Sequence, residues 1–88
     1  MVMYRIALTD PAKRFFENAD RQLQRRLDRA FDRLKHNPRS HPNIKPLTGN
    51  YAGYFRYRVG DYRIVYAIDE PNEMVTILVI ANRRDVYR

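Results

Sequence analysis

The chain contains no cysteine. That removes disulfides and thiolate metal ligands, and leaves a reducing cytoplasm as the default compartment. No apolar run approaches the roughly 18–20 residues needed to span a bilayer. The opening MVMYRIALTD is too short and too polar to read as a signal peptide. There is no phosphate loop, GxGxxG turn, zinc signature or Ser–His–Asp set. The two histidines, His36 and His41, have no cysteine or carboxylate clustered at ligand spacing, so neither a metal nor a cofactor is expected. Internal repeats and low-complexity linkers are also missing. At 88 residues one soluble domain is expected, with a core that must be economical because so short a chain buries only about 60–65% of its unfolded surface.

What is present is positive charge of one kind. The formal charge is +7, and fourteen arginines stand against three lysines, Lys13, Lys35 and Lys45. Arginine grips phosphate with a two-pronged fork and stacks on flat rings, which lysine does poorly. The excess therefore points to a polyanionic partner: RNA, DNA or an acidic protein segment.

The stretch Tyr51 to Tyr66, YAGYFRYRVGDYRIVY, holds five of the seven tyrosines, three arginines and two of the three glycines. Basic residues interleaved with aromatics suit nucleic acid, since guanidinium groups meet phosphates while rings stack on bases. A hairpin that merely covers a small core would also enrich tyrosine. Within the stretch, Tyr54, Arg56 and Arg58 alternate with Phe55, Tyr57 and Val59, which predicts a strand with one cationic face and one core face. Gly60-Asp61 is a hairpin turn, and Tyr62 to Asp69 the returning strand, with Arg63, Val65 and Ala67 opposite Tyr62, Ile64, Tyr66 and Ile68. Whether Arg63 joins the face of Arg56 and Arg58 depends on hairpin register.

Around this hairpin the pattern predicts a strand over 2–8 and a helix start at Thr9-Asp10-Pro11. A short helix over Ala12–Glu17 follows, with a break at Asn18-Ala19-Asp20 and a longer helix from Arg21 to Lys35. Leu23, Leu27, Ala30, Phe31 and Leu34 give the longer helix one apolar stripe. Its other face carries Arg21, Arg25, Arg26, Arg29 and Arg33, with Arg25–Asp28 and Arg29–Asp32 spaced to pair at i,i+3. The proline-punctuated segment from Asn37 to Asn50 reads as a loop. After a turn at Glu70–Glu73, Met74 to Ala81 is apolar on both faces, as in the middle of a covered sheet. The expected class is α+β: two helices from the N-terminal half packed on a mostly antiparallel four-stranded sheet, in the order β-α-α-β-β-β.

The chemistry such residues can do is limited but definite. If RNA is cut by its own 2′-hydroxyl, the site needs a base, an acid and cations for the crowded phosphorane. Arg56, Arg58, Arg63, Arg83 and Arg84 suit the last task. Arginine suits the first poorly, since its pKa exceeds about 12. Tyr87 is able to donate a proton or stack on a base.

Lys45-Pro46-Leu47-Thr48-Gly49, the run from Gly53 to Tyr66 and the terminal Asn82-Arg83-Arg84-Asp85-Val86-Tyr87 resemble the RelE/ParE superfamily of toxins, RelE branch. The resemblance covers nearly the whole chain, residues 1–88 as one toxin domain. It implies a microbial-ribonuclease-like fold and the toxin of a type II toxin–antitoxin pair. The implied activity is that of an endoribonuclease cutting mRNA at the ribosomal A site in the cytoplasm, without cofactor or metal. It further implies a cognate RelB-like antitoxin and a toxin–antitoxin heterotetramer. By the same resemblance Arg63, Arg83, Tyr87 and Arg56 are the catalytic candidates, and Tyr54, Arg58, Arg84 and Lys45 the RNA-binding ones. As strand-face residues, the arginines are expected to be replaceable without loss of fold. Two departures from the family pattern stand out: Tyr54 and Arg56 stand where some relatives carry lysine, and Asn82 where many carry histidine. The alternatives are a ParE-like gyrase poison and a non-catalytic relic that only docks its antitoxin.

Overall fold

The computed structural model describes residues 3–82. Its elements are β1 (Arg5–Leu8), α1 (Asp10–Asn18), α2 (Arg21–His36), β2 (Ile44–Pro46), a 3-10 turn (Gly49–Tyr51), β3 (Phe55–Val59), β4 (Tyr62–Asp69) and β5 (Met74–Asn82). The α+β class holds, but the sheet has five strands in the order β1-β5-β4-β3-β2 rather than four. The added strand is β2, antiparallel to β3 through the pairs Ile44–Tyr57, Lys45–Arg56 and Pro46–Phe55. Proline cannot donate to a central ladder, so a three-residue strand ending in Pro46 survives only at a sheet edge. All other pairs are antiparallel except β1 with β5.

Both helices start where their capping residues dictate. Asp20 caps α2 by accepting from the Leu23 N–H at 2.8 Å. Thr9 does more. Its Oγ1 accepts from the Ala12 N–H at 3.3 Å, capping α1, and donates to the Leu78 carbonyl at 2.7 Å. Its own N–H reaches the Ile77 carbonyl at 3.0 Å. Leu78 is the extra residue of a β-bulge, since Tyr66 pairs with Ile77 while Val65 pairs with Val79. The bulge inverts the alternation of β5, so that Val75, Ile77 and then Ile80 are buried, while Val79 is 44% exposed. The apolar run of β5 is therefore interior to the sheet but not covered on both faces.

The helices lie on one side of the sheet. Leu27, Ala30, Phe31 and Leu34 of α2 and Ala12 of α1 are buried against Tyr57, Ile64, Tyr66, Val75, Ile77 and Ile80. The expected i,i+3 pairs of α2 do not form: among the described residues the one ion pair is Arg39–Glu70, at 2.8 Å. Solvated arginines lose rotamer freedom in such pairs and gain little Coulomb energy in water.

The segment after α2 is clamped from below. Tyr66 Oη, fully buried, donates to the Pro38 carbonyl at 2.6 Å. Burial holds this hydroxyl well above the usual tyrosine range, so it remains a donor. The Tyr66 ring stacks on Phe55 at 5.7 Å, and the Arg39 guanidinium sits 5.8 Å from the Phe55 centroid. Arg39 in turn donates to Glu70, which also accepts from Tyr4 Oη at 2.7 Å. Those two donors hold the Glu70 carboxyl below the ordinary glutamate range.

Thr9→Val keeps the shape but orphans the Leu78 carbonyl and the α1 cap, and should cost about 1–3 kcal/mol in urea denaturation. A depressed carboxyl pKa contributes stability above the unfolded value, and that contribution is lost as pH falls through the folded one. Glu70→Gln should therefore flatten the acid limb of the stability–pH curve below about pH 4.

Candidate nucleic-acid interface

The site is organised by the β3–β4 hairpin. Gly60 has φ of +60°, and Asp61 has no positive φ, which is the sign pattern of a II′ turn with glycine leading. A Cβ at position 60 would meet the Arg26 guanidinium from α2, a mobile side-chain end, so it is the positive φ that favours glycine there. A two-residue loop allows one pairing, and the register that results is Val59–Tyr62, Arg58–Arg63, Tyr57–Ile64 and Arg56–Val65. Directly paired residues share a face. Arg56, Arg58 and Arg63 therefore lie together on the side away from the helices, while Phe55, Tyr57 and Val59 face the core. Lys45 joins the first set, because β2 places it opposite Arg56.

Four cations thus line one sheet face in two cross-strand pairs, Lys45–Arg56 and Arg58–Arg63. Like charges set directly opposite one another are destabilising. Arg58 and Lys45 are exposed and Arg56 half-buried. The Arg56 Nε is buried with no hydrogen-bond partner among the described residues, a donor whose desolvation none of them offsets. Arg63, at 7% exposure, is the only buried charged residue among those described. That corrects the expectation of a freely replaceable strand-face arginine: truncation of Arg63 disturbs packing as well as charge. Beside Arg63, β5 presents Ala81, and beside Val65 it presents Val79, so the cations border an aliphatic strip. Val79 was not legible from sequence, because only the bulge turns it outward.

Tyr54, 39% exposed, stands one residue before β3, its carbonyl accepting from the Leu47 N–H at 2.9 Å. It continues the alternation of Arg56 and Arg58. Arg83, Arg84 and Tyr87 lie outside the described residues. Among those described, no cluster of His, Asp or Glu is able to hold a metal ion, and no helix is long and apolar enough to cross a membrane.

Relieving the cross-strand repulsion gives a direct test of this geometry. Arg58→Thr should raise the unfolding free energy by about 0.2–1 kcal/mol, measured as a higher urea midpoint with an unchanged slope.

A family model described as the ParE toxin of the type II toxin–antitoxin system parDE matches residues 6–87. Toxin RelE of Mycobacterium tuberculosis (strain ATCC 25618 / H37Rv) is 36% identical over 86 residues, spanning 97% of this chain and 87% of the relative. The toxin–antitoxin complex RelBE2 from Mycobacterium tuberculosis contains a chain of 34% identity and TM-score 0.78, with 93% of this chain and 100% of that one covered. The archaeal RelE–RelB complex from Pyrococcus horikoshii OT3 shares the fold at a TM-score of 0.81 and 22% identity, covering 97% and 100% of the two chains. With a family model matched across almost its whole length and a relative identical at more than a third of positions, the chain belongs to the RelE/ParE superfamily, the toxins of type II toxin–antitoxin systems.

Proposed function

We propose that this toxin is a RelE-like endoribonuclease that cuts mRNA in the ribosomal A site. The observation that carries the reading is the row of Lys45, Arg56, Arg58 and Arg63, gathered by strand register on one sheet face, where forked cations match phosphate oxygens.

In the proposed reaction the 2′-hydroxyl passes its proton to water as its oxygen attacks the adjacent phosphorus, the 5′-oxygen leaves with a proton from a donor, and a 2′,3′-cyclic phosphate remains on the 5′ fragment. Negative charge gathers on the non-bridging oxygens of the phosphorane. Arg63 and Arg56, fixed by β4 and β3, are the preorganised cations aimed at that charge. Arg58 and Lys45 hold flanking phosphates, and Tyr54 offers a ring for a base. Arg83 and Tyr87 are assigned by family resemblance, Arg83 as a further cation and Tyr87 as the proton donor to the leaving oxygen; Arg84 is assigned to RNA binding. Arginine cannot act as base at neutral pH, so the chain is read as a positioning and charge-stabilising catalyst. The same resemblance supports a cytoplasmic toxin of one domain held by a RelB-like antitoxin, with a heterotetramer as the resting assembly.

The matched family model, described as a ParE toxin, favours a second reading, a gyrase poison. Mapping mRNA 5′ ends after induction separates the two. In-frame cuts in translated messages are expected. Intact mRNA with DNA breaks would establish the second reading instead. Arg63→Lys keeps the buried charge but loses the fork, and should lower the single-turnover cleavage rate by about 10²–10³ with the circular dichroism spectrum unchanged.

A further inference from the structure

On the opposite side of β3 from the cation row, α2 overhangs an open groove of about 460 Å³. It exists because β2 ends its pairing at Ile44–Tyr57, so the outer edge of Val59 has no neighbouring strand. Tyr57 and Val59 line its floor, and Arg26, Arg29, Arg33 and His36 its rim. The three arginines recur at i, i+3 and i+7, which places them on one helix face over about 10 Å of axis. None forms an ion pair, since among the described residues the single pair is Arg39–Glu70. One carboxylate, Asp32, also lines the groove, against three guanidinium groups. The His36 Nδ1 lies 2.8 Å from the Asp32 carbonyl. A carbonyl only accepts, so Nδ1 carries the hydrogen and the ring is held by its own helix. The Arg26 guanidinium lies over Gly60 of the β3–β4 turn, so the groove adjoins the hairpin bearing Arg58 and Arg63.

We propose that this groove is a second RNA site, binding the phosphodiester backbone of the strand that flanks the reacting phosphate. Forked guanidinium groups in a row match successive phosphate oxygens. The path rounds the end of β3: Arg58, whose N–H donates to the Asn43 carbonyl at 3.0 Å, carries the open face, and the next residue, Val59, lies past the last β2 pair and lines the groove. The site carries no base-reading set and so acts without sequence preference. This inference rests on the reading of the sheet face as an RNA surface.

The test uses binding rather than cleavage. A labelled single-stranded RNA with every 2′-hydroxyl methylated cannot be cut, so its affinity is independent of the catalytic assignment. Wild type and the double variant Arg29→Ala/Arg33→Ala are titrated by fluorescence anisotropy across a salt series. Their thermal midpoints are compared to establish that both are folded. The double variant should bind about tenfold more weakly at low salt whatever the sequence. Its log K against log salt slope should be shallower by about 1.4, some 0.7 per lost phosphate contact. A trinucleotide, too short to reach from the sheet face into the groove, should bind both proteins equally. Unchanged affinity and slope for the long RNA would overturn the proposal, as would loss of binding to a polyglutamate peptide with RNA binding intact. If wild-type protein binds the methylated RNA through the groove yet cuts no mRNA, the groove stands and the cleavage reading falls.

Discussion

A two-residue turn and the period-two alternation of a strand leave the β3–β4 hairpin a single register, and that register sets Arg58 against Arg63. Glu70, the carboxylate engaged in an ion pair, follows the far end of β4, about 23 Å along the strand from Arg63, and is occupied there by Arg39 and Tyr4. Two arginines thus face one another across the strands one pair in from the turn. A sequence that needed only a stable hairpin has no reason to do this, since a threonine or a carboxylate opposite Arg63 would stabilise the pair.

Much of the remaining fold keeps that face flat and in place. The α2 stripe packs beneath Tyr57, Ile64 and Tyr66, and the Arg26 guanidinium rests on the turn glycine. The β5 bulge, anchored by the Thr9 hydroxyl at Leu78, returns Ile80 to the core and brings Val79 and Ala81 beside Val65 and Arg63. The hydroxyl of Tyr66 fixes the segment after α2 through Pro38, which leads into the β2 edge that carries Lys45.

The hairpin was legible in the sequence because its signals agree: alternation on both strands and a glycine where a positive φ is needed. Both helices were legible for the same reason, from their caps and apolar stripes. The β2 strand was hidden because its three residues end in Pro46 and follow closely on Pro42, so only tertiary pairing makes them a strand. The bulge was hidden because MVTILVIA is apolar at both parities, so no alternation reports the slip at Leu78. Spacing allowed the α2 ion pairs without requiring them, and solvation decided against them. Burial of Arg63 depends on how the sheet face is covered, which no local pattern encodes. The groove beside α2 depends on where β2 stops. The candidates Arg56, Arg58, Arg63 and Lys45 do converge on one face, whereas Arg83, Arg84 and Tyr87 rest on family resemblance alone.

The family places the chain among toxins, and the hairpin offers one of them a way to meet RNA: strand register gathers forked cations on one sheet face, where phosphates can pair with them. The most direct test is a structure of the protein bound to ribosomal A-site mRNA whose 2′-hydroxyls are methylated. The account predicts the reacting phosphate seated between the Arg56 and Arg63 guanidinium groups, with the neighbouring phosphates along Arg58 and Lys45. An mRNA backbone that avoids the open sheet face altogether would contradict it.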